Sequence, residues 1–200
     1  AAVALSLAVA SLASPSAASE LRSPDGKLQL QFSLNQQSQP TFSLDYDSRQ
    51  LIAPSALGLA FERYQTLSSG MAVTGESRRS GADSYKHIGK ASQVRDAYNE
   101  ATVSVADPGG ERRQLEIVFR AYNDGIAFRY RVPPQPALRR LRLVGEVTEF
   151  AFPADYACHA LNVGRFTTSH EGEFDPVRAS HMRAHHLFDL FQEGLGRVLE

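Results

Sequence analysis

From Leu28 onward the apolar residues of this chain return at every second position: Leu28, Leu30, Phe32 and Leu34 alternate with Lys27, Gln29, Gln31 and Ser33. A period of two places them on one face of a strand, whereas a helix needs recurrence every three to four residues. The alternation resumes after polar residues 35–40 with Phe42, Leu44 and Tyr46. Shorter stretches recur at Leu57, Leu59 and Phe61, at Val103 and Val105, and at Leu141 and Leu143 leading toward Phe150 and Phe152. The clearest hairpin joins Leu115, Ile117 and Phe119 to Ile126, Phe128 and Tyr130 across Asn123-Asp124-Gly125, where a glycine can take a positive φ without steric cost. Ser23-Pro24-Asp25-Gly26 and Asp107-Pro108-Gly109-Gly110 read as further turns. Short strands punctuated in this way predict an all-β fold, an antiparallel β-sandwich rather than a parallel sheet with crossover helices. Residues 68–84, rich in Ser, Gly and Arg, read as a loop, and the stretch after Phe174 fits neither period well.

Two hundred residues suffice for one domain, and no internal repeat of solenoid or propeller period occurs. Residues 1–18 (AAVALSLAVASLASPSAA) carry no charge and end in small residues before Ser19-Glu20. They read as the apolar part of a secretory signal peptide without its charged n-region, giving a leader over 1–19, a domain over 20–200, and an exported protein, periplasmic or secreted. The competing reading is a membrane anchor, but Ser6, Ser11, Ser14 and Pro15 interrupt the apolar run well short of the roughly 20 residues a span needs.

Twenty-one Lys and Arg against 22 Asp and Glu leave a net charge of −1, which lacks the basic footprint of a nucleic-acid binder. A single cysteine, Cys158, closes no disulfide within the chain and excludes paired-cysteine zinc sites. His181 and His185 stand four apart as in zinc proteases, yet Met182 occupies the position where such a motif needs its Glu, so a solvated histidine-rich loop is the better reading. Neither a phosphate-binding Gly-Lys-Ser/Thr loop nor a Gly-x-Ser-x-Gly nucleophile elbow is present.

Three segments are more specific when taken together. They are Val94-Arg95-Asp96-Ala97-Tyr98-Asn99-Glu100, the hairpin run from Phe119 to Tyr130, and Thr148-Glu149-Phe150-Ala151-Phe152-Pro153-Ala154-Asp155. With Ser23-Pro24-Asp25-Gly26-Lys27 and Pro54-Ser55-Ala56-Leu57-Gly58-Leu59, they resemble the N-terminal domain of glycoside hydrolase family 97, over roughly residues 21–173. The resemblance implies a large β-sandwich, or super-sandwich, of galactose-mutarotase-like architecture, here ending before the sandwich closes. In the family it precedes a (β/α)8 catalytic barrel, in exported α-glucosidases or α-galactosidases that act on α-linked oligosaccharides and use calcium. The domain usually carries tryptophans and this chain has none; His87-Ile88-Gly89-Lys90 and Cys158-His159 stand where they are expected.

Glycoside cleavage needs an acid carboxyl and a base or nucleophile flanking the scissile bond. The resemblance assigns that pair to the barrel, so no catalytic residue is expected in this chain and the fragment is expected to be inactive alone. What the resemblance does imply here is a carboxylate for calcium at the domain interface, in Thr168-Ser169-His170-Glu171-Gly172-Glu173-Phe174. Glu171 is the first choice and Glu173 the fallback, against the plainer reading of a solvated acidic loop. Asp96, Asn99 and Glu100 could line the approach to a sugar, although Asp and Asn at a strand entrance more often bond to nearby backbone. Arg120 and Arg129, flanked by apolar residues, read as outward-facing strand positions rather than substrate clamps. Three functions therefore compete: an accessory domain that completes a glycosidase active site, a free-standing carbohydrate-binding module, and a structural sandwich without ligand.

Overall fold

The computed structural model describes residues 19–86, 88, 92–108, 112–136, 142–161, 169 and 171–181. Residues 1–18 of the leader, His87, Gly89, Lys90, Gly109, Gly110, Leu141, Thr168, His170, Met182 and His185 lie outside the described residues, whereas Ser19 opens the first strand. Among the described residues thirteen strands occur in chain order: β1 (Ser19–Arg22), β2 (Leu28–Leu34), β3 (Pro40–Tyr46), β4 (Arg49–Ala56), β5 (Leu59–Phe61), β6 (Tyr64–Leu67), β7 (Ala72–Lys86), β8 (Gln93–Ala106), β9 (Gln114–Ala121), β10 (Ile126–Arg131), β11 (Leu143–Glu146), β12 (Ala157–Ala160) and β13 (Asp175–Arg178). A single turn of 3-10 helix (Ala179–His181) follows. Every pairing is antiparallel, as the alternating sequence predicted.

Two four-stranded sheets, β1-β2-β3-β4 and β10-β9-β8-β7, face each other and enclose the core. Strand periodicity puts Phe32 and Phe42 side by side on the first sheet and Phe119 and Phe128 side by side on the second. Across the gap Phe32 meets Phe119 at 6.1 Å between ring centroids and Phe42 meets Phe128 at 5.5 Å, both tilted. Such tilted aromatic pairs contribute about 1 kcal/mol each beyond the area they bury. A third sheet, β11-β5-β6, flanks this core with Leu59, Phe61 and Leu67 buried, and β12 pairs with β13 in a separate two-stranded ribbon.

The predicted turn at residues 23–26 is present: the Gly26 amide donates to the Ser23 carbonyl at 2.9 Å, and Gly26 adopts φ +77°. The predicted hairpin forms with Ile126 opposite Ala121 and Phe128 opposite Phe119. Its turn differs in detail. The Tyr122 amide donates to the Gly125 carbonyl at 2.8 Å, and the positive-φ glycines among the described residues are Gly26 and Gly70, so Gly125 is not used for left-handed backbone. The four-residue connection gives the chain enough length to reverse without it.

Residues 68–84 are a larger departure. Most of them form β7, a strand of fifteen residues rather than a loop. Its sequence shows no alternation because nearly every side chain is exposed; the strand is held by its backbone ladder to β8, from Ala72 opposite Ala106 to Lys86 opposite Gln93. Phe150 and Phe152, expected to end a strand, lie outside one, and only Ala151 makes an isolated bridge, to Ala53. Residues 175–178, where neither period fitted, form β13.

Candidate functional site

The second sheet presents a charged cluster built around one buried carboxylate. Along β8, Ala101, Val103 and Val105 point into the core, so alternation turns Tyr98 and Glu100 to the outer face. Register then places Arg79 of β7 and Arg120 of β9 on either side of Glu100, in one row across three strands. Arg79 grips the carboxylate with Nε at 2.5 Å from Oε1 and Nη2 at 2.9 Å from Oε2; Arg120 Nε donates to Oε2 at 2.6 Å. Glu100 is 6% exposed. Arg79 foremost, and Arg120 after it, overcome the opposing effect of burial and hold the carboxyl down at about 2. It is therefore an ionised anchor near neutral pH, with no proton to give as a general acid.

Tyr98 completes the cluster. The Arg120 guanidinium lies 4.1 Å from its ring centroid and Arg79 5.8 Å away, both within cation–π range. The Tyr122 ring packs at 5.7 Å. Hydrogen bonding to the Tyr122 hydroxyl first, and to Glu100 second, raises the pKa of Arg120 further. Beneath the ring, Gly81 is the cross-strand partner of Tyr98, and a Cβ there would come within 2.6 Å of the Tyr98 Cζ.

The neighbouring residues do different work. Asn99 and Ser80 face the opposite way: Ser80 Oγ bonds Asn99 Oδ1 at 2.6 Å, and Asn99 Nδ2 donates to the Arg22 carbonyl at 2.9 Å. Arg78 reaches the Glu20 carbonyl at 2.6 Å and Ser19 Oγ at 3.1 Å. These bonds close the side of the sandwich between β1 and β7 and line a groove of about 490 Å³. Asp96 stands directly opposite Asp83. Asp96, Asn99 and Glu100 thus lie inside a long strand rather than at a strand entrance; Asn99 and Glu100 both line this groove, and Asp96 lies farther along β8. Arg120 is half-buried against Tyr98 and Glu100 rather than simply outward-facing, whereas Arg129 is exposed as expected. Arg79 escaped the sequence reading because its segment read as a loop; its signal would have been the β7–β8 register.

The Thr148-Glu149-Phe150 segment is a seam. Tyr130 Oη accepts from the Gly58 amide at 3.1 Å and bonds Thr148 Oγ1 at 2.8 Å, and Thr148 donates in turn to Glu146. Burial pushes the Tyr130 phenol up to about 12, against the opposing effect of its hydrogen bonding with Thr148 and the Gly58 amide. The Glu149 amide donates to the Ala56 carbonyl at 2.9 Å while its carboxylate accepts from the Ala56 amide at 3.2 Å. Phe150 packs on Phe42 and Phe128 at 5.8 and 6.1 Å.

Glu171 and Glu173 stand elsewhere, in the strand-free approach to β13, with both side chains exposed. Gly172 between them lies against Leu161, where a Cβ would meet Cδ1 at 2.8 Å. The Glu171 amide donates to Ser169 Oγ at 3.4 Å. Their carboxylates are hard oxygen donors of the kind calcium takes, and no cation among the described residues pairs with them. No group of three potential metal ligands occurs among the described residues, and a carboxylate here could serve calcium only as one ligand of a larger oxygen set.

A family model described as "Glycosyl-hydrolase 97 N-terminal" matches residues 21–192. The chain belongs to this family. Among relatives of the family 97 domain, a retaining alpha-galactosidase of Bacteroides thetaiotaomicron is 28% identical over 136 residues, covering 68% of this chain and 19% of that protein. A probable retaining alpha-galactosidase of Streptomyces bingchenggensis is 29% identical over 116 residues, covering 58% and 17%. The chain therefore spans about a fifth of the length of these relatives. Among solved structures, a glycoside hydrolase family 97 enzyme of Pseudoalteromonas sp. strain K8 in complex with panose superposes with a TM-score of 0.69 at 27% identity, over 80% of this chain and 24% of that one. A beta-arabinopyranosidase matches with a TM-score of 0.66 at 25% identity, over 78% and 26%. The segments that carried the resemblance are, in this family 97 domain, the Glu100 row, the core hairpin and the Tyr130 seam.

Proposed function

We propose that this domain is the N-terminal part of an exported, calcium-dependent glycoside hydrolase of α-glucosidase or α-galactosidase type. It supports sugar binding and completes an active site whose acid and base lie on a (β/α)8 barrel of the same polypeptide. The match of residues 21–192 to the family's N-terminal domain carries this reading. The relatives named as retaining alpha-galactosidases favour α-galactosides among the substrates.

In that setting Glu171, with Glu173 beside it, extends a carboxylate from the sandwich toward the barrel. Held there, calcium would supply positive charge to the completed site. The domain's own residues orient and anchor: the Glu100 row stiffens the outer sheet, and the Tyr130 seam holds the segment from which the chain continues to β12 and β13.

The test is to express the polypeptide extended beyond Glu200 and assay aryl α-galactosides and α-glucosides with calcium and with a chelator. Turnover that a chelator abolishes and calcium restores supports the proposal. An extended polypeptide without glycosidase activity, or activity of the 200-residue chain alone that survives repurification, defeats it.

A further inference from the structure

The β7–β8 pair outruns the sheet that carries it. β9 pairs with β8 only from Asn99 to Ala106, so among the described residues the six pairs from Gly81 opposite Tyr98 to Lys86 opposite Gln93 continue as a two-stranded arm, about 20 Å long at roughly 3.3 Å per residue. A two-stranded ribbon without a third element is at best marginally stable in water. Beside Lys86 and Gln93, its far end exposes two large apolar side chains. Tyr85 stands opposite Val94 and is 52% exposed, and Ile88 beyond them is 99% exposed.

On the same face as Tyr85 and Val94, Asp83 stands directly opposite Asp96. Like charges placed so are destabilising, and among the described residues no cation pairs with either carboxylate. Among the described residues, one arm face thus combines the exposed Tyr85 ring with two carboxylates that no cation pairs. Both features are explained by a partner surface with an apolar socket and a basic side chain beside it.

We propose that this arm docks, through Tyr85, Val94 and Ile88, onto the portion of a longer polypeptide that lies beyond this chain, with a Lys or Arg there meeting Asp83 and Asp96. The inference rests on the reading of the chain as one part of a longer glycosidase. The relatives supply the argument for this occupant: the matched domain is 19% of one and 24% of another, so a much larger body accompanies it in each. A second copy added along the free edge of β7 is disfavoured by Glu76, Arg78 and Arg79, since charged edge strands resist strand pairing.

Amide hydrogen exchange of residues 82–86 and 93–97 tests the proposal, compared between the 200-residue chain and the extended polypeptide at equal concentration. Exchange should slow about tenfold or more in the extended polypeptide. Tyr85→Ser with Ile88→Ser should remove that protection while leaving the β8–β9 ladder as protected as before, and Asp83→Asn with Asp96→Asn should make it insensitive to salt. Equal exchange in the two forms overturns the inference. So does protection that grows with protein concentration alongside a dimer in sedimentation, which assigns the arm to a second copy. An extended polypeptide that is an active glycosidase with an unprotected arm sinks only this inference, whereas a protected arm on an inactive polypeptide sinks only the proposed function.

Discussion

Arg79 and Glu100 stand directly opposite each other across β7 and β8, joined by two hydrogen bonds of 2.5 and 2.9 Å. The carboxylate is buried while the guanidinium is 57% exposed, so the pair is a charge buried on one side only. Arg120 supplies the second contact from β9, which makes Glu100 the point where three strands are tied together on the face away from the core.

Replacing Glu100 by Gln keeps the volume but leaves two guanidiniums without their counter-charge. Hydrogen bonds to charged groups contribute about 1.5–3 kcal/mol, and the solvent around Arg79 screens its share, so a loss of about 2 kcal/mol is expected. Urea unfolding would read it as a lower midpoint at unchanged slope; a midpoint equal to that of the parent would show that solvent already satisfies the row.

Two groups bound the pH range of stability. The Glu100 carboxyl is lowered from 4.5 to about 2 in the fold, so its contribution is present above about 4.5 and is lost as pH falls toward 2. The Tyr130 phenol is raised from 10.0 to about 12, so its contribution is present below 10 and is lost as pH rises toward 12. Unfolding curves across both limits should show the parent converging on Glu100→Gln in acid and on Tyr130→Phe in alkali. Parallel curves at either end would remove that residue from the linkage.

Gly81→Ala should destabilise because the added methyl meets the Tyr98 ring, which is itself 5% exposed and carries the Arg120 guanidinium. The cost of such overpacking is typically about 1–3 kcal/mol. In a Tyr98→Leu background the same substitution should cost less, since the obstructing ring atoms are gone. A double-mutant cycle measures this, and additivity would place the strain elsewhere.

Glu171→Gln in the extended polypeptide should weaken calcium binding while changing the unfolding free energy measured without calcium by no more than about 0.5 kcal/mol, as expected at an exposed position. Glu173→Gln is the comparison. Because residues 171–174 form no strand, the two side chains are not bound to a common direction, and one substitution should dominate. Calcium titration decides between them: loss only with Glu173→Gln reassigns the ligand, and no loss with either returns the segment to a solvated loop.

The sandwich itself was legible in the sequence because burial on one face writes a period of two into it. Leu28 through Leu34, Leu115 through Phe119 and Phe128 through Tyr130 announce their strands and the hairpin between the last two without knowledge of any partner. Tertiary structure alone decided what lies where that pattern is absent or where distance in sequence is large. β7 has no buried face, so only its ladder to β8 makes it a strand. The row of Arg79, Glu100 and Arg120 joins residues about twenty apart through register, and a shift of one position would turn Glu100 into the core and scatter the charges. Local sequence sets which way a side chain faces along its own strand, but which residue stands beside it is set by the pairing of whole strands, a cooperative choice made by the core.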